Sequence, residues 1–135
     1  MEQPTWVNRT LNNRYTIQTM LGQGGMSAVY KANDPNLKRV VAIKLIHSHL
    51  ATDPTFVTRF EEEATAVARL RHPNIVQVFD FNTDGGVYYM VLEFVAGETL
   101  GARIKRLNAS GRRVSVRDAL RAMIDICKAA DYAHQ

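Results

Sequence analysis

Residues 21–46 read LGQGGMSAVYKANDPNLKRVVAIKLI and place three glycines in four positions ahead of a lysine set in an apolar run. Residues 40–46 alternate in the manner of a β-strand, so Lys44 shares one face with Ala42 and Ile46. The preceding RYTIQTMLGQGGMSAV, residues 14–29, predicts two strand-like runs joined by the glycine-rich turn. The stretch therefore predicts three consecutive strands.

Two features of this stretch carry chemical meaning, and each has a plainer alternative. Glycine allows positive φ and close backbone approach, so the amide N–H groups of Gly22 to Ser27 can point at an anion such as phosphate. The same residues also fit an ordinary tight hairpin. Lys44 either extends its ammonium group to solvent or lies buried beside a counter-charge. The residues alone leave both alternatives open.

A helix is predicted over residues 54–70. Thr52 or Asp53 can cap it, and Pro73 ends it. Apolar residues at 56, 60, 67 and 70 form a stripe that position 63 completes, so Glu63 is expected on the buried face. An unpaired buried carboxylate would be costly, so a cation is required nearby, and Lys44 is the candidate. The alternative is a small helix rotation that brings Glu63 into solvent.

The remaining sequence predicts two more strands and two helices. Strands are expected at residues 75–81 and 87–95, separated by the hairpin sequence NTDGG. A short helix is expected over residues 99–107, followed by the loop NASGRR. A capping box of Ser115 and Asp118 opens a long helix to the end of the chain.

The long helix is apolar over much of its circumference and therefore predicts packing partners on several sides. Met123 and Cys127 are expected in a core rather than as reactive groups. Cys127 is the only cysteine, which excludes an intrachain disulfide and a metal site built from several cysteines.

The histidines give weaker signals. His47 and His49 alternate on one strand face and could bind a metal, although two surface residues are the simpler interpretation. His72 precedes Pro73 and is interpreted as a structural turn residue, because no second metal ligand stands at a useful spacing.

Composition limits the class of protein. The chain has 135 residues, of which 46% are hydrophobic and 22% charged, which fits one globular domain, or one domain and a fragment. No run approaches the roughly 18 apolar residues of a membrane helix. The first residues, MEQPTWVNRT, do not have the form of a secretory signal, so a cytoplasmic location is expected.

The net charge of +4 is unevenly distributed. Residues 1–100 hold nine Lys/Arg and ten Asp/Glu, whereas residues 101–135 hold eight and three. A basic segment can bind nucleic acid or be a solvated helix face, and the lack of aromatic residues among the arginines favours the second. The candidates for nucleic-acid contact are Arg103, Lys105, Arg106, Arg112 and Arg113.

The order of these motifs resembles that of a known family. A glycine loop, VAIK, a helical Glu, HPNIV and LEFVAGETL together look like the amino-terminal half of a eukaryotic-type (Hanks-type) Ser/Thr protein kinase, and the GGMS wording is most similar to bacterial members. The resemblance implies an α+β fold: a small lobe with a five-stranded antiparallel sheet and one large helix, followed by two helices of the second lobe. It implies residues 1–13 as an extension, 14–95 as the small lobe and hinge, and 96–135 as the start of the second lobe.

The resemblance also implies roles for individual residues. Lys44 would bind the α- and β-phosphates of ATP while Glu63 holds it in place. Val29 and Ala42 would sandwich the adenine, Leu92 would be the gatekeeper, and the backbone of Glu93 and Val95 would bind the adenine edge. The residues implied to bind ATP are Leu21, Gly22, Gln23, Gly24, Gly25, Met26, Ser27, Ala28, Val29, Ala42, Lys44, Leu92, Glu93 and Val95.

The motifs that hold Mg²⁺ and the catalytic base in this family, HRD and DFG, do not occur in the 135 residues. We therefore expect the parent protein to be an ATP- and Mg²⁺-dependent Ser/Thr kinase and this chain alone to be inactive, with the Mg²⁺ ligands and the protein-substrate contacts outside it. The apolar last helix predicts homo-oligomers formed through residues 99–135. The alternative function is a non-catalytic, kinase-like interaction module; a nucleic-acid binder is the third, and no membrane contact is expected in this segment.

Overall fold

The computed structural model describes residues 6–47 and 50–134. The elements in chain order are β1 (Thr10–Leu11), β2 (Tyr15–Gln23), β3 (Ser27–Asp34), β4 (Arg39–Ile46), α1 (Pro54–Ala68), β5 (Val78–Asp84), β6 (Val87–Glu93), α2 (Leu100–Ala109) and α3 (Val116–Ala133). The described chain forms two compact units. The first comprises residues up to 70 together with 77–94, and the second comprises residues 71–76 and those from 95 onward.

The first unit is built on an antiparallel sheet of six strands in the order β1-β2-β3-β4-β6-β5. The predicted α+β class is confirmed, but the predicted number of five strands is wrong by one. The additional strand, β1, lies in the segment that we assigned to an extension, and its Leu11 pairs with Tyr15 of β2. Two residues between turns carry too little periodicity to be recognised as a strand.

The hairpin of β5 and β6 begins later than its sequence predicts. β5 covers residues 78–84 rather than 75–81, because Asn82 pairs with Tyr89 and Asp84 with Val87. The turn itself is only Gly85 and Gly86, which have φ angles of 56° and 84°. Two consecutive positive φ values are the requirement of the tightest hairpin turn, and glycine meets it without steric cost.

Each face of the sheet has its own hydrophobic core. One face buries alternate residues of the central strands, which include Val41, Ile43 and Leu45 of β4. The opposite face packs Ile46 and Met90 against α1. This arrangement follows from the period of two in a strand, which sends successive side chains to opposite faces.

A hydrogen-bond cluster joins the two ends of the sheet. Asn12, in the β1–β2 turn, donates its side-chain amide to Thr83 O at 3.0 Å and to the Tyr89 hydroxyl at 2.6 Å. Its backbone N–H donates to Asp84 Oδ2 at 2.7 Å. Asn12 has φ of 50°, a left-handed conformation that asparagine tolerates better than most residues. These bonds bring the amino-terminal strand to the β5–β6 hairpin.

The helix α1 starts where a capping residue allows it. The side chain of Asp53 accepts the Thr55 N–H at 2.9 Å and Pro54 follows at the first helical position, so Asp53 rather than Thr52 is the cap. The helix ends at Ala68, two residues before the predicted end.

The second unit contains α2 and α3, and neither helix has a buried residue. The predicted capping role of Ser115 is confirmed, since Ser115 Oγ accepts the Asp118 N–H at 3.1 Å. The helix α2 has a similar cap, in which Thr99 Oγ1 accepts the Ala102 N–H at 3.0 Å. Beyond the end of α2 at Ala109, Gly111 has a φ of 75°, which lets the Arg112 N–H reach Leu107 O at 2.7 Å.

The prediction that Met123 and Cys127 lie in a core is wrong for this chain. Both side chains are exposed, and so are the neighbouring Leu120 and Ile124. Periodic apolar spacing identifies the face of a helix that seeks a partner, but the spacing does not supply the partner. In residues 6–47 and 50–134, no helix combines the length and apolarity needed to cross a bilayer.

The turn at residues 71–74 is held by contacts with α3 within the second unit. Tyr132 accepts the Arg71 N–H through its hydroxyl at 2.9 Å, and its ring lies 5.2 Å from that of His72. His72 Nδ1 also accepts the Asn74 N–H at 3.0 Å. These contacts give His72 a structural position.

Candidate functional site

The candidate site is one row of residues that crosses four strands of the sheet. Val29 of β3 lies between Gly22 of β2 and Lys44 of β4, and Lys44 in turn lies opposite Met90 of β6. Residues directly opposite in neighbouring strands place their side chains on the same face about 5 Å apart. The pairing therefore brings the glycine-rich turn, Val29 and Lys44 together, although they are separated along the chain.

Lys44 and Glu63 form the ion pair expected from the sequence. Lys44 Nζ lies 2.7 Å from Glu63 Oε1, with the strand β4 and the helix α1 supplying one partner each. The short distance is that of a charge-assisted hydrogen bond. The contact fixes the ammonium group at a defined place on the open part of the sheet.

The predicted burial of Glu63, however, is wrong. The Glu63 side chain is 50% exposed and that of Lys44 is 25% exposed. The face of α1 that enters the core is centred between Phe60 and Ala64, and position 63 lies about 80° around the helix from that centre. Glu63 is therefore at the edge of the buried stripe, where solvent or a ligand can reach the ion pair.

The glycine-rich turn does not depend on positive φ. Positive φ among the described glycines occurs at Gly85, Gly86, Gly97 and Gly111, not at those of the turn. A Cβ atom added at Gly22 or Gly25 would meet nothing within 4 Å, so both positions border open space. Glycine here leaves backbone amides accessible to an approaching group.

His47 has a different role from the one that the sequence indicated. It is 7% exposed, and its Nε2 lies 2.8 Å from Gly24 O while its backbone N–H donates to Met26 O at 2.9 Å. His47 is thus attached to the glycine-rich turn and is not a surface residue. Its proposed companion His49 lies outside the described residues.

A small cavity lies beside the ion pair, and a second positively charged side chain lines it. It is lined by Met26 and Ser27 of the turn, by Lys44 and Glu63, and by Arg59 of α1. Arg59 stands one helical turn before Glu63, on the same side of the helix. Sequence reasoning overlooked Arg59, although its spacing of four residues from Glu63 was a usable signal.

The other predicted site residues lie at different places. Ala42 pairs with Leu92, so both share the face of Lys44. Ala28 belongs to the interior core on the opposite face, and Leu21 and Met26 are half exposed. The remaining predicted residues of the turn are Gln23, the last residue of β2, and Ser27, the first of β3.

The two residues expected to bind the adenine edge fall in different units. Glu93 ends β6, and its N–H donates to Gln77 O at 2.8 Å, so a contact with adenine would use its carbonyl oxygen. Val95 belongs to the second unit, and its side chain is 63% exposed.

Metal ligation has no candidate in the part of the chain that the structure describes. No group of three or more His, Cys, Asp or Glu side chains is arranged to hold an ion there. The site described above can bind an anion through Lys44 and the turn, but these residues supply no cage for Mg²⁺.

Comparisons with known proteins find relatives over nearly the whole chain. The model of the protein kinase domain family matches residues 15–135. A probable serine/threonine-protein kinase of Streptomyces coelicolor is 40% identical over all of this chain, which covers 20% of that protein. Serine/threonine-protein kinase PrkC of Bacillus subtilis is 37% identical over 96% of this chain and 19% of its own length, and PknA of Mycobacterium tuberculosis is 38% identical over 95% and 30%.

The fold has a solved counterpart. The crystal structure of the Mycobacterium tuberculosis PknI kinase domain superposes with a TM-score of 0.77 at 28% identity, covering 98% of this chain and 52% of that domain. The chain thus spans a fifth to a third of the curated relatives named above and about half of a solved kinase domain. The resemblance to bacterial Ser/Thr kinases is confirmed.

Proposed function

The chain belongs to the protein kinase family, and on that premise we propose that it is the ATP-binding part of a Ser/Thr kinase that transfers the γ-phosphate of ATP to protein hydroxyls. The observation that carries the proposal is the 2.7 Å contact between Lys44 Nζ and Glu63 Oε1 beside an open glycine-rich turn. An ammonium group held by a carboxylate and left partly exposed is suited to an anionic ligand.

The residues of the candidate site have separate tasks in this proposal. Lys44 neutralises charge on the α- and β-phosphates, and Glu63 keeps its ammonium group from turning away. The turn around Gly22 and Gly25 approaches the phosphates through its backbone. Val29 and Ala42 contact the adenine ring, with Leu92 beside Ala42 at the back of the pocket.

We further propose that these 135 residues do not transfer phosphate by themselves. Phosphoryl transfer depends on positioning and on charge neutralisation by Mg²⁺. The sequence contains no HRD, DFG or APE motif, and the described residues offer no Mg²⁺ cage. Mg²⁺, the catalytic base and the protein substrate would therefore be held by residues of the family's second lobe.

Nucleotide titration tests the binding proposal. We expect the chain to bind ATP by isothermal titration calorimetry, and Lys44→Met to weaken binding by about tenfold or more, because one charge-assisted contact is lost. Lys105→Met, which removes an exposed lysine of α2, is the matched control and should bind as the unchanged chain does. Equal affinities of all three proteins would contradict the proposal.

A transfer assay tests the proposed inactivity. The purified chain, freed of host kinases, is incubated with radiolabelled ATP, Mg²⁺ and a generic protein acceptor. No incorporation is expected. Incorporation that disappears in Lys44→Met would show that the chain is catalytic by itself.

A second candidate function, self-association, is favoured by the exposed apolar face of α3. Leu120, Met123, Ile124 and Ile126 are each between 53% and 61% exposed, and such a surface promotes association. We propose that a second copy of this chain covers it. Light scattering should show dimers or larger species that the double variant Leu120→Glu/Ile124→Glu dissociates; a monomer at high concentration would overturn this candidate.

A further inference from the structure

His47 connects the end of β4 to the glycine-rich turn through two contacts. Its ring Nε2 lies 2.8 Å from Gly24 O, and its backbone N–H donates to Met26 O at 2.9 Å. Gly24 in turn donates its N–H to Ser27 O at 2.8 Å. The histidine lies only three residues after Lys44, so one strand end carries both the cation and a support for the turn.

The chemistry of the side-chain contact determines the state of the ring. A carbonyl oxygen only accepts hydrogen bonds, so Nε2 of His47 must carry the proton. The neutral ring is therefore the Nε2–H tautomer, and protonation at Nδ1 would leave the donor in place. His47 is 7% exposed, so the donor side of this part-buried bond is shielded from water.

The contact also fixes the direction of a backbone amide. The peptide unit between Gly24 and Gly25 is planar and trans, so the Gly24 carbonyl and the Gly25 N–H point in opposite directions. With the carbonyl held towards His47, the Gly25 N–H faces the other way. Gly25 also borders open space, as a Cβ there would meet nothing within 4 Å.

We propose that His47 is a positioning residue whose imidazole holds the Gly24 carbonyl and so presents the Gly25 amide to the phosphates of the bound nucleotide. This inference rests on the proposed ATP-binding function. Two glycines in succession leave the turn with a large choice of backbone conformations, and one part-buried hydrogen bond from outside the turn restricts that choice before the ligand arrives.

Two variants separate the hydrogen bond from the volume of the ring. His47→Leu fills the space but has no donor, whereas His47→Gln places an amide N–H at a reach similar to that of Nε2. Urea unfolding of both variants establishes that the fold persists. Long-range ¹H–¹⁵N NMR of the unchanged chain at pH 8 should show Nε2 protonated and Nδ1 not; the opposite tautomer would overturn the proposal.

Hydrogen exchange of the chain without nucleotide measures the turn directly. We expect amides of residues 23–27 to exchange about tenfold faster in His47→Leu and at nearly the original rate in His47→Gln. The affinity for ATP should be about fivefold to tenfold lower in His47→Leu and close to the original value in His47→Gln. Unchanged exchange in a folded His47→Leu protein would overturn the inference.

The same measurements distinguish this inference from the proposed function. If the unchanged chain binds no ATP, the proposed function fails, and the phosphate part of the inference fails with it. If the unchanged chain binds ATP, and His47→Leu speeds hydrogen exchange in the turn without lowering the affinity for ATP, the proposed function stands. The proposed positioning of the Gly25 amide is then refuted.

Discussion

The two units of this chain differ in how much of their apolar surface is buried. All seventeen of the buried hydrophobic residues in the described chain belong to the first unit, and α2 and α3 contain none. Tyr89 and Ile43 of the first unit are completely enclosed, whereas Met123 and Ile126 of α3 are about 60% exposed. Similar apolar content thus leads to a packed core in one unit and an open face in the other.

The comparison separates two sources of stability. The sheet of the first unit buries residues on both faces, and burial of apolar area is the main favourable term in folding. The helices of the second unit are defined mainly by local signals, namely their caps, their turn chemistry and the surface pairs of Arg103 with Asp118 and Arg106 with Glu98. Surface ion pairs contribute little to stability, so helix propensity and capping contribute more to the stability of α2 and α3.

The largest difference between the units should be seen with a matched pair of isoleucines. Ile43→Ala, in the fully buried position, should lower the free energy of unfolding by about 3–4 kcal/mol, because it leaves a cavity in a packed core. Ile126→Ala, at a position 60% exposed in the single chain, should change it by about 0.5 kcal/mol or less when both variants are made in the Leu120→Glu/Ile124→Glu background, which prevents the proposed self-association. Urea unfolding followed by far-UV circular dichroism and by the fluorescence of Trp6, which packs on the first core, measures both.

Equal losses for the two isoleucine variants in that background would contradict the comparison. Without the two glutamates, Ile126→Ala should cost more, because the proposed second copy covers Ile126.

A smaller effect is expected from the ion pair that the buried Asp34 forms with the partly exposed Arg14 in the first unit. Asp34 is 1% exposed and accepts two hydrogen bonds of 3.0 Å from the Arg14 guanidinium, which lowers the pKa of Asp34. Asp34→Asn should cost about 2 kcal/mol. The exposed Asp131→Asn in α3 is the control and should cost almost nothing.

The pH dependence of the Asp34 contribution has a definite sign. A carboxyl whose pKa is lowered by folding stabilises the folded state at pH values above its unfolded pKa, near 3.9, and loses that contribution as the pH falls below it. The gap in stability between the unchanged protein and Asp34→Asn should therefore be widest at neutral pH and shrink towards pH 2. A gap that grows on acidification would be inconsistent with the lowered pKa.

The smallest expected effect concerns the cap of α3. Ser115→Ala removes the hydrogen bond to the Asp118 N–H and should cost about 1 kcal/mol of local helix stability. Ser115→Asp restores an acceptor and should recover it. Helical content measured by far-UV circular dichroism during thermal unfolding reports the change, and an unaffected Ser115→Ala would mean that packing, not capping, holds α3.

Much of this structure could be predicted because its signals are local. The alternation of residues 40–46 identified β4, and Ser115 with Asp118 identified the start of α3. The contact of Lys44 with Glu63 was also within reach, since few cations lie in apolar strands and a carboxylate at a stripe position needs one. These inferences use properties of neighbours in sequence.

The features that were missed depend on packing between distant segments. Glu63 lies at the edge of the buried stripe because α1 packs through Phe60 and Ala64, a rotation that the spacing of residues could not resolve. Strand β1 is an exception, because it pairs with β2 across only four to six residues and was missed for its lack of periodicity. The attachment of His47 to Gly24 exists because two strand ends 23 residues apart in the sequence meet. No window of sequence contains such contacts.

By itself, the order of residues determined five of the six strands, the capped helices, the family and the identity of the charged pair, because these follow from periodicity, turn chemistry and motif spacing. Only the tertiary structure decided which side chains are enclosed and how the glycine-rich turn is held. Burial depends on how helices and strands pack against one another. A rotation or shift smaller than one residue changes which side chains are buried, and the sequence pattern does not record such a change.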